Sequence, residues 1–165
     1  MTDAQLFNEI ALAIGKVGSV LDVGCGNCAL VRFLAQNVAD EAIGIDLSWD
    51  TSLEPARLDF AKGYGTATCM KGDVHSIGFP DGRFDSVVAL RSLHEFRKPE
   101  ISLSEMERVL KSGGTLVIVD FSEREPSEDE TYYSEEGLRK FLGSKFSDVK
   151  VQRYDRDNLL LAVCK

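Results

Sequence analysis

The sequence of 165 residues has no long run of apolar residues. A helix that crosses a membrane needs about 18 or more consecutive apolar residues, so no transmembrane helix is expected. The opening residues, Met-Thr-Asp-Ala-Gln, have neither the basic stretch nor the apolar stretch of a secretory signal peptide. We therefore expect a cytoplasmic protein that does not enter membranes and that folds as a single domain over residues 1–165.

The chain also has fewer basic than acidic residues. The chain has 27 acidic and 19 basic residues, which leaves a formal net charge of -8. A protein this acidic gains little general attraction to phosphate backbones. Nucleic acid is therefore not an expected ligand unless a partner subunit supplies a basic surface.

Cysteine patterns typical of metal sites are scarce. Cys25 and Cys28 form one C-x-x-C pair, but no second such pair and no nearby pair of histidines completes a zinc site. No metal site is therefore predicted. The pair is either a redox dithiol or a structural feature in which Cys25 provides a small side chain between two glycines. Cys69 and Cys164 lie in strand-like apolar segments and are expected in the core.

What the chain does contain is a regular alternation of helix and strand patterns. Thr2 and Gln5 form a capping-box pattern at the start of the first helix. Strands are predicted at residues 19–23, 42–46, 66–71, 84–90 and 115–119, with a closing hairpin of strands at 148–154 and 158–164. Helices are predicted at residues 28–38, at 53–62, from Pro99, and from Ser134 to Leu142. This alternation predicts a parallel sheet with right-handed crossovers and helices on both faces.

The first strand runs into a glycine turn. The segment reads Val20-Leu21-Asp22-Val23-Gly24-Cys25-Gly26, and a predicted helix follows it. Glycines let the backbone approach a ligand closely, and the free N–H groups at a helix start can receive a carboxylate. Because ligands of parallel sheets bind beyond the carboxyl ends of the strands, this turn is a candidate ligand site. A plain strand-to-helix turn is the alternative.

Two further strands are followed by carboxylates. Asp46 lies about 20 residues after the glycine turn, where a carboxylate can accept both hydroxyl groups of a ribose. Asp73 and Val74 follow the third strand, where they can meet the edge and the face of an adenine. The alternatives are a helix cap or loop residue at Asp46 and an exposed turn at Asp73, with Val74 in the core.

These strand ends occur together with two further segments at matching places, Phe84-Asp85-Ser86-Val87-Val88 and Arg108-Val109-Leu110-Lys111-Ser112-Gly113-Gly114-Thr115-Leu116. In this combination the chain resembles the class I S-adenosylmethionine-dependent methyltransferases, particularly the group that includes the methyltransferases of ubiquinone and menaquinone biosynthesis. The resemblance spans about residues 17–121. It implies a Rossmann-like, three-layer α/β/α fold with a seven-stranded, mostly parallel sheet whose last strand is antiparallel.

The resemblance also implies S-adenosyl-L-methionine as the cofactor and assigns residues to its parts. The methionine part would be lined by Asp22, Gly24, Cys25 and Gly26. The adenosine part would be held by Asp46 at the ribose and by Leu47, Asp73 and Val74 at the adenine. The sulfonium side would be approached by Leu90, Arg91 and His94. Two departures are that Cys28 replaces the usual third glycine and that the region after the fifth strand is short, which leaves a minimal substrate lid.

The acceptor side offers few candidate residues. His94 is the candidate general base, because an imidazole titrates near neutral pH, and a structural histidine is the alternative. Tyr132 and Tyr133 are candidate lid residues on the substrate side, with ordinary packing as the alternative. The acidic segment 122–131 is expected at the substrate entrance, where it would disfavour anionic acceptors, unless it is a solvated loop. His75 is expected to cap or decorate a loop.

Several functions therefore remain open. A nicotinamide dehydrogenase would explain the pattern Gly24-x-Gly26-x-x-Ala29, but the chain has no Tyr-x-x-x-Lys pair. A non-catalytic cofactor-binding subunit, one that needs an activator protein, and a homodimer are also consistent with a short chain. Leu90-Arg91-Ser92-Leu93 stands where methyltransferases acting on amides and adenine have N-P-P-Y. A small-molecule methyl acceptor, not identified by the sequence, is therefore favoured.

Overall fold

The computed structural model describes residues 1–50, 64–122 and 130–165 and the backbone of residues 56–59. Short 3₁₀ turns lie at Leu93–Glu95 and Asp155–Asp157. No helix within these ranges is long and apolar enough to cross a membrane. The helices and strands follow in the order α1 (Asp3–Ile14), β1 (Val17–Val23), α2 (Ala29–Asn37), β2 (Ala39–Asp46), β3 (Ala56–Asp59), β4 (Thr66–Lys71), β5 (Phe84–Leu90), α3 (Pro99–Val109), β6 (Leu110–Phe121), α4 (Glu135–Leu142), β7 (Val149–Tyr154) and β8 (Leu159–Cys164).

The helices begin where local sequence provides caps. Thr2 and Gln5 form the predicted capping box of α1, in which each side chain accepts a hydrogen bond from the other residue's backbone N–H. Pro99 is the first residue of α3, where its missing N–H costs nothing. The Ser134 side chain accepts a hydrogen bond from the Gly137 N–H at the start of α4.

The strands form one sheet in the order β3-β4-β2-β1-β5-β6-β8-β7. The pairs from β4 through β6 are parallel, whereas β8 pairs antiparallel with both β6 and β7. Six strands therefore run in one direction, and β8, the last strand in the sequence, runs against them. This confirms the predicted sheet of seven mostly parallel strands, to which β3 is added at one edge.

Strand β3 corrects one sequence-based prediction. Residues 56–59 lie within the predicted helix 53–62, but they form a strand that pairs antiparallel with β4, from Ala56 opposite Cys69 to Asp59 opposite Thr66. The remaining residues of that predicted helix lie outside the described residues. Strand β4 is otherwise an open edge, and its unpaired backbone groups bind this segment in spite of its helix-forming residues.

Two hydrophobic cores cover the two faces of the sheet. One contains buried side chains of α1 and α2, such as Leu6 and Leu34, and the other contains buried side chains of α3 and α4, such as Met106 and Leu138. Neighbouring strand residues point into opposite cores, because side chains alternate across a strand. This is the predicted three-layer α/β/α arrangement, and it leaves the carboxyl ends of the parallel strands free to form a site.

Candidate active site

A cleft of about 740 Å³ lies at the carboxyl ends of the parallel strands. It is lined mainly by residues that end or directly follow β1, β2, β4 and β5, with Phe7 and Asp3 of α1 on one side. The volume is within the usual range of small-molecule sites. The position agrees with the rule that parallel sheets bind ligands beyond their carboxyl ends.

The glycine turn after β1 is fixed to the neighbouring strand. The N–H groups of Gly24 and Cys25 both donate to the Ile45 carbonyl oxygen of β2, at 2.8 and 3.1 Å. Gly24 and Gly26 have φ angles of 74° and 50°, in the left-handed region that favours glycine. The turn therefore keeps its backbone exposed to the cleft in one defined shape.

Replacing Gly24 by alanine should cost about 2–5 kcal/mol of unfolding free energy. A Cβ at this position would lie 2.5 Å from the Cβ of the buried Ser92, in addition to the backbone strain. Gly26→Ala is the matched control, because a Cβ there meets nothing within 4 Å, so only about 1–2 kcal/mol of strain is expected. Urea unfolding of both variants measures the difference, and equal losses would contradict the role of the Ser92 contact.

Asp22 is the least solvated charged group of the cleft. It lies near the end of β1, is 2% exposed, and its Oδ1 atom has no hydrogen-bond partner among the residues that the structure describes. Burial, and secondarily the nearby Asp46 carboxylate, raises the pKa of Asp22 to about 7. A buried acceptor without a donor is unfavourable. It is therefore suited to a ligand that brings a positive charge or an N–H group.

Asp46, the last residue of β2, is organised for hydrogen bonding. Its Oδ2 accepts from the Gly26 N–H at 2.9 Å, and its Oδ1 accepts from the N–H and hydroxyl of Ser48 at 2.9 and 2.6 Å. Burial raises the pKa of Asp46, but these hydrogen bonds outweigh it and hold the pKa below its ordinary value. The next residue, Leu47, lines the cleft with 64% of its surface exposed.

Asp73 and Val74 also line the cleft, as predicted from their place after β4. Asp73 Oδ1 accepts from the N–H of His75 at 2.8 Å and lies 2.7 Å from its ring Nδ1. Hydrogen bonds from His75 lower the pKa of Asp73. His75 Nε2 accepts in turn from the Lys98 N–H at 3.2 Å. His75 thus joins the loop after β4 to the start of α3.

The other end of the cleft is formed by the segment after β5. Leu90 and Arg91 line it, and Arg91 has the uncommon φ of 52°. The Arg91 N–H donates to Val119 of β6 at 2.6 Å, and its guanidinium donates to the Asp3 carboxylate of α1 at 2.9 Å. Helix α1 is thereby held against this end of the cleft.

His94 lies behind the segment after β5 that forms this end of the cleft. It is 7% exposed and is not among the residues that line the cleft, although Ser92 and Glu95 beside it are. The His94 ring Nδ1 lies 2.7 Å from Asp120 Oδ1, and its backbone N–H donates to Asp120 Oδ2 at 2.9 Å. The hydrogen bond to Asp120 raises the pKa of His94 above its ordinary value.

Asp120 is the residue that sequence reasoning missed. It is buried near the carboxyl end of β6, the same kind of position as that of Asp22 in β1. That repeated placement of a carboxylate near a strand end was the signal that could have revealed it.

The two tyrosines predicted on the substrate side lie outside the cleft lining as well. The Tyr132 ring stacks on His94 with centroids 5.2 Å apart, and the Tyr132 hydroxyl donates to Glu130. Tyr133 stacks on Phe141 of α4 with centroids 5.0 Å apart. Of the acidic segment, residues 123–129 lie outside the described residues.

The four cysteines are all buried. Cys25 lines the cleft, and Cys28 directly precedes α2. These two lie close to Cys69 of β4, and the three sulfur atoms are within 4.8 Å of one another. Cys28 and Cys69 are joined by a disulfide bond, which the sequence did not predict. Cys164 is separate and belongs to the core on the other face of the sheet.

A family model described as a methyltransferase domain matches residues 21–118, from β1 into β6. The chain belongs to this methyltransferase family. The match begins just before Asp22 and includes the loops after β1, β2, β4 and β5. The cleft residues Asp22, Asp46 and Asp73 therefore all lie within the family domain.

Individual methyltransferases resemble the chain over most of its length. It is 29% identical over 138 residues to ajmaline N-methyltransferase of Rauvolfia serpentina, covering 78% of this chain and 45% of that protein. It is 32% identical over 155 residues to demethylmenaquinone methyltransferase of Renibacterium salmoninarum, covering 82% of this chain and 65% of that protein. The chain thus spans less than two thirds of the length of either relative.

A solved structure has the same fold. The structure is a complex between the Haloferax volcanii Trm112 methyltransferase activator and a putative methyltransferase, matched with a TM-score of 0.72 and 18% identity. The match covers 96% of this chain and 88% of that chain. At this identity the likeness establishes the methyltransferase fold and nothing further.

Proposed function

We propose that the protein is an S-adenosylmethionine-dependent methyltransferase that acts on a small molecule. The observation that carries this proposal is the buried Asp22 carboxylate, which lines the cleft and whose Oδ1 atom has no partner within the described part of the chain. The ammonium group of a bound methionine moiety would supply the missing hydrogen-bond donor and a compensating positive charge.

The remaining cleft residues fit the other parts of the cofactor. Asp46 keeps acceptor capacity beyond its bonds to Gly26 and Ser48, since each carboxylate oxygen can accept two bonds, and it would take the ribose hydroxyls. The exposed Leu47 and the partly buried Val74 would contact the adenine ring, and Asp73 would accept from its amino group. When bound, the cofactor supplies a methyl group on a positively charged sulfur atom.

The chain's own contribution to methyl transfer is to position the acceptor and exclude water. Phe7, Leu90 and Phe96 provide apolar surface at the acceptor end of the cleft, next to Arg91. Holding two reactants in line and away from water can account for most of the rate of such a transfer. The relatives are named for the small molecules ajmaline and demethylmenaquinone, which supports a small acceptor here.

His94 is the proposed proton acceptor for substrates whose nucleophile must lose a proton. Because its bond to Asp120 raises the pKa of His94, the imidazole is protonated over a wider range and accepts a proton only above that raised pKa. Ser92 and Glu95 line the cleft, whereas His94 does not. The methyl acceptor, or a water molecule that relays its proton, must therefore pass these two residues to reach the His94 ring.

A partner-dependent subunit is the second candidate function. The solved structure of similar fold includes an activator protein, which is the observation that favours this reading. In that case cofactor would still bind the cleft, but methyl transfer would need the partner.

Thermal unfolding with S-adenosylmethionine, S-adenosylhomocysteine or NAD tests the cofactor. Ligand at 100 times its dissociation constant should raise the unfolding temperature by roughly 5–10 °C. Asp46→Ala should abolish this shift for the two adenosyl compounds, because it removes the ribose acceptor. Asp40→Ala is the matched control, since Asp40 is exposed at the other end of the same strand.

The outcomes separate the candidates. A shift with both adenosyl compounds, followed by methylation in a panel of phenols, amines and carboxylic acids, supports the stand-alone enzyme. A shift without methylation of any acceptor favours the partner-dependent subunit. A shift with NAD alone would contradict the proposal in favour of a dehydrogenase, and no shift with any ligand would also contradict it.

A further inference from the structure

Three buried cysteines meet beneath the glycine turn of the cleft. They come from three places in the chain: Cys25 from the turn after β1, Cys28 from the start of α2, and Cys69 from β4. Their sulfur atoms lie within 4.8 Å of one another. The cluster therefore connects the turn to the strand that leads to Asp73.

The backbone of β2 leaves room for this cluster. Gly44 is paired with Cys69 in the sheet, and a Cβ on Gly44 would lie 2.7 Å from both the Cβ and the Sγ of Cys25. Real Cβ atoms do not approach so closely, so any larger residue at position 44 would displace Cys25 and also Val31, whose Cγ2 atom lies at the same 2.7 Å. The Cys25 side chain, together with Val31, thus occupies the space that a strand side chain at position 44 would fill.

The positions of Cys28 and Cys69 suit a disulfide bond. Their Cα atoms are 6.3 Å apart, within the usual range for disulfides, and their sulfur atoms are bonded. Cys28 has a φ of 68° and no side-chain cap for α2, a backbone state that non-glycine residues adopt only when the surroundings impose it. The bond to Cys69 is one such constraint.

Resting on the proposed function, we propose that Cys28 and Cys69 form a reversible disulfide whose state sets the affinity of the cleft for its cofactor. Closing the bond breaks two S–H bonds and forms one S–S bond. Two electrons and two protons pass to a small-molecule disulfide such as oxidised glutathione, which is released as two thiols. A dithiol reductant reverses the step.

The link to cofactor binding is the shared turn. Cys28 donates its N–H to the Cys25 carbonyl at 2.9 Å, and Gly26, between them, donates to Asp46. With the bond closed, the turn and Asp46 are held in the arrangement described above. With the bond open, the turn samples several conformations, and only one of them is the arrangement that binds the ligand. The apparent affinity then falls with the fraction of molecules that have this binding conformation.

Cys25 takes no part in the disulfide bond. Burial, followed by the carboxylates of Asp22 and Asp46, raises the pKa of its thiol to about 12. Cys25 therefore stays protonated at neutral pH and is a poor nucleophile. The same carboxylates disfavour a cluster of three thiolates, whereas a neutral disulfide at Cys28 and Cys69 avoids that charge.

The experiment compares S-adenosylhomocysteine binding to the whole chain after oxidation with oxidised glutathione and after reduction with dithiothreitol, using calorimetry. Reduction should weaken binding about tenfold and lower the unfolding temperature of the free protein by roughly 8–15 °C. Cys28→Ala and Cys69→Ala should bind like the reduced protein in both conditions. Cys164→Ala is the matched control and should keep the full redox response, because its thiol lies on the other face of the sheet.

Mass spectrometry identifies the bond directly. Cys25 and Cys28 share one tryptic peptide, residues 17–32, and Cys69 lies on another, residues 63–71, so a linked pair of these peptides is expected. Cys28→Ala should abolish the link. Free thiols after oxidation, or a zinc ion held by the three cysteines, would overturn the proposal. Equal binding in both redox states would overturn it while leaving the proposed function intact, and no binding in either state would overturn both.

Discussion

The Asp22→Asn variant is expected to be more stable than the unmodified protein at alkaline pH and yet to lose most of its affinity for S-adenosylhomocysteine. The carboxylate is 2% exposed, and its pKa in the folded protein is about 7, against an ordinary value of 3.8. Ionising it in the folded state is therefore costly, because the site offers too few donors. An amide removes that cost together with the charge that the ligand needs.

The sign of the pH dependence follows from proton binding. Between about pH 4 and pH 7 the folded protein keeps the Asp22 proton that the unfolded chain has released, so its stability falls as pH rises through this window. The variant has no such proton. The difference in unfolding free energy between the variant and the unmodified protein should therefore grow, in favour of the variant, by about 2–4 kcal/mol from pH 4 to pH 7. Above pH 7 this difference should stay constant.

Urea unfolding of the ligand-free proteins at pH 5 and pH 8 measures this change. Asp40→Asn is the matched control, because Asp40 is exposed at the opposite end of β2 and should give the same small difference at both values. Calorimetry with S-adenosylhomocysteine provides the second readout. A variant that binds this ligand as well as the unmodified protein would contradict the assignment of Asp22 to the ligand's ammonium group.

The Asp120→Asn variant is expected to lose about 3–5 kcal/mol of stability near pH 6. Asp120 is 5% exposed and accepts from the His94 ring and from the backbone N–H groups of His94 and Phe121. Without the Asp120 carboxylate, a protonated imidazole is left buried with only the exposed Glu95 carboxylate, 3.7 Å from its Nε2, as a counter-charge. Losing this buried pair is far more costly than losing a surface ion pair.

The stability that Asp120→Asn loses should become smaller at higher pH. Because the folded pKa of His94 is raised, its ion pair contributes fully below the ordinary histidine pKa and is lost as pH rises through the folded value. Unfolding measured at pH 6 and pH 9 tests this sign. Glu135→Gln, which breaks the exposed pair with Arg139 in α4, is the control and should cost at most about 0.5 kcal/mol at either pH. A pH-independent loss in Asp120→Asn would refute the ion pair.

The predicted strand ends illustrate how much local pattern reveals. Asp22, Asp46 and Asp73 were identified from their places after apolar segments, and all three line the cleft. The failure at residues 56–59 has a different origin. Their composition favours a helix, but the open edge of β4 offered backbone hydrogen bonds that no short-range pattern reveals.

The sequence by itself determined most of the strands and helices, the family and three carboxylates that line the cleft. It could do so because each of these depends on short segments, and because parallel strands bring their carboxyl ends to one edge of a sheet. Only the tertiary structure decided which distant side chains meet. The pairs of His94 with Asp120 and of Cys28 with Cys69 join loops and strands that are far apart in the chain, so they follow from sheet order and close packing rather than from any local signal.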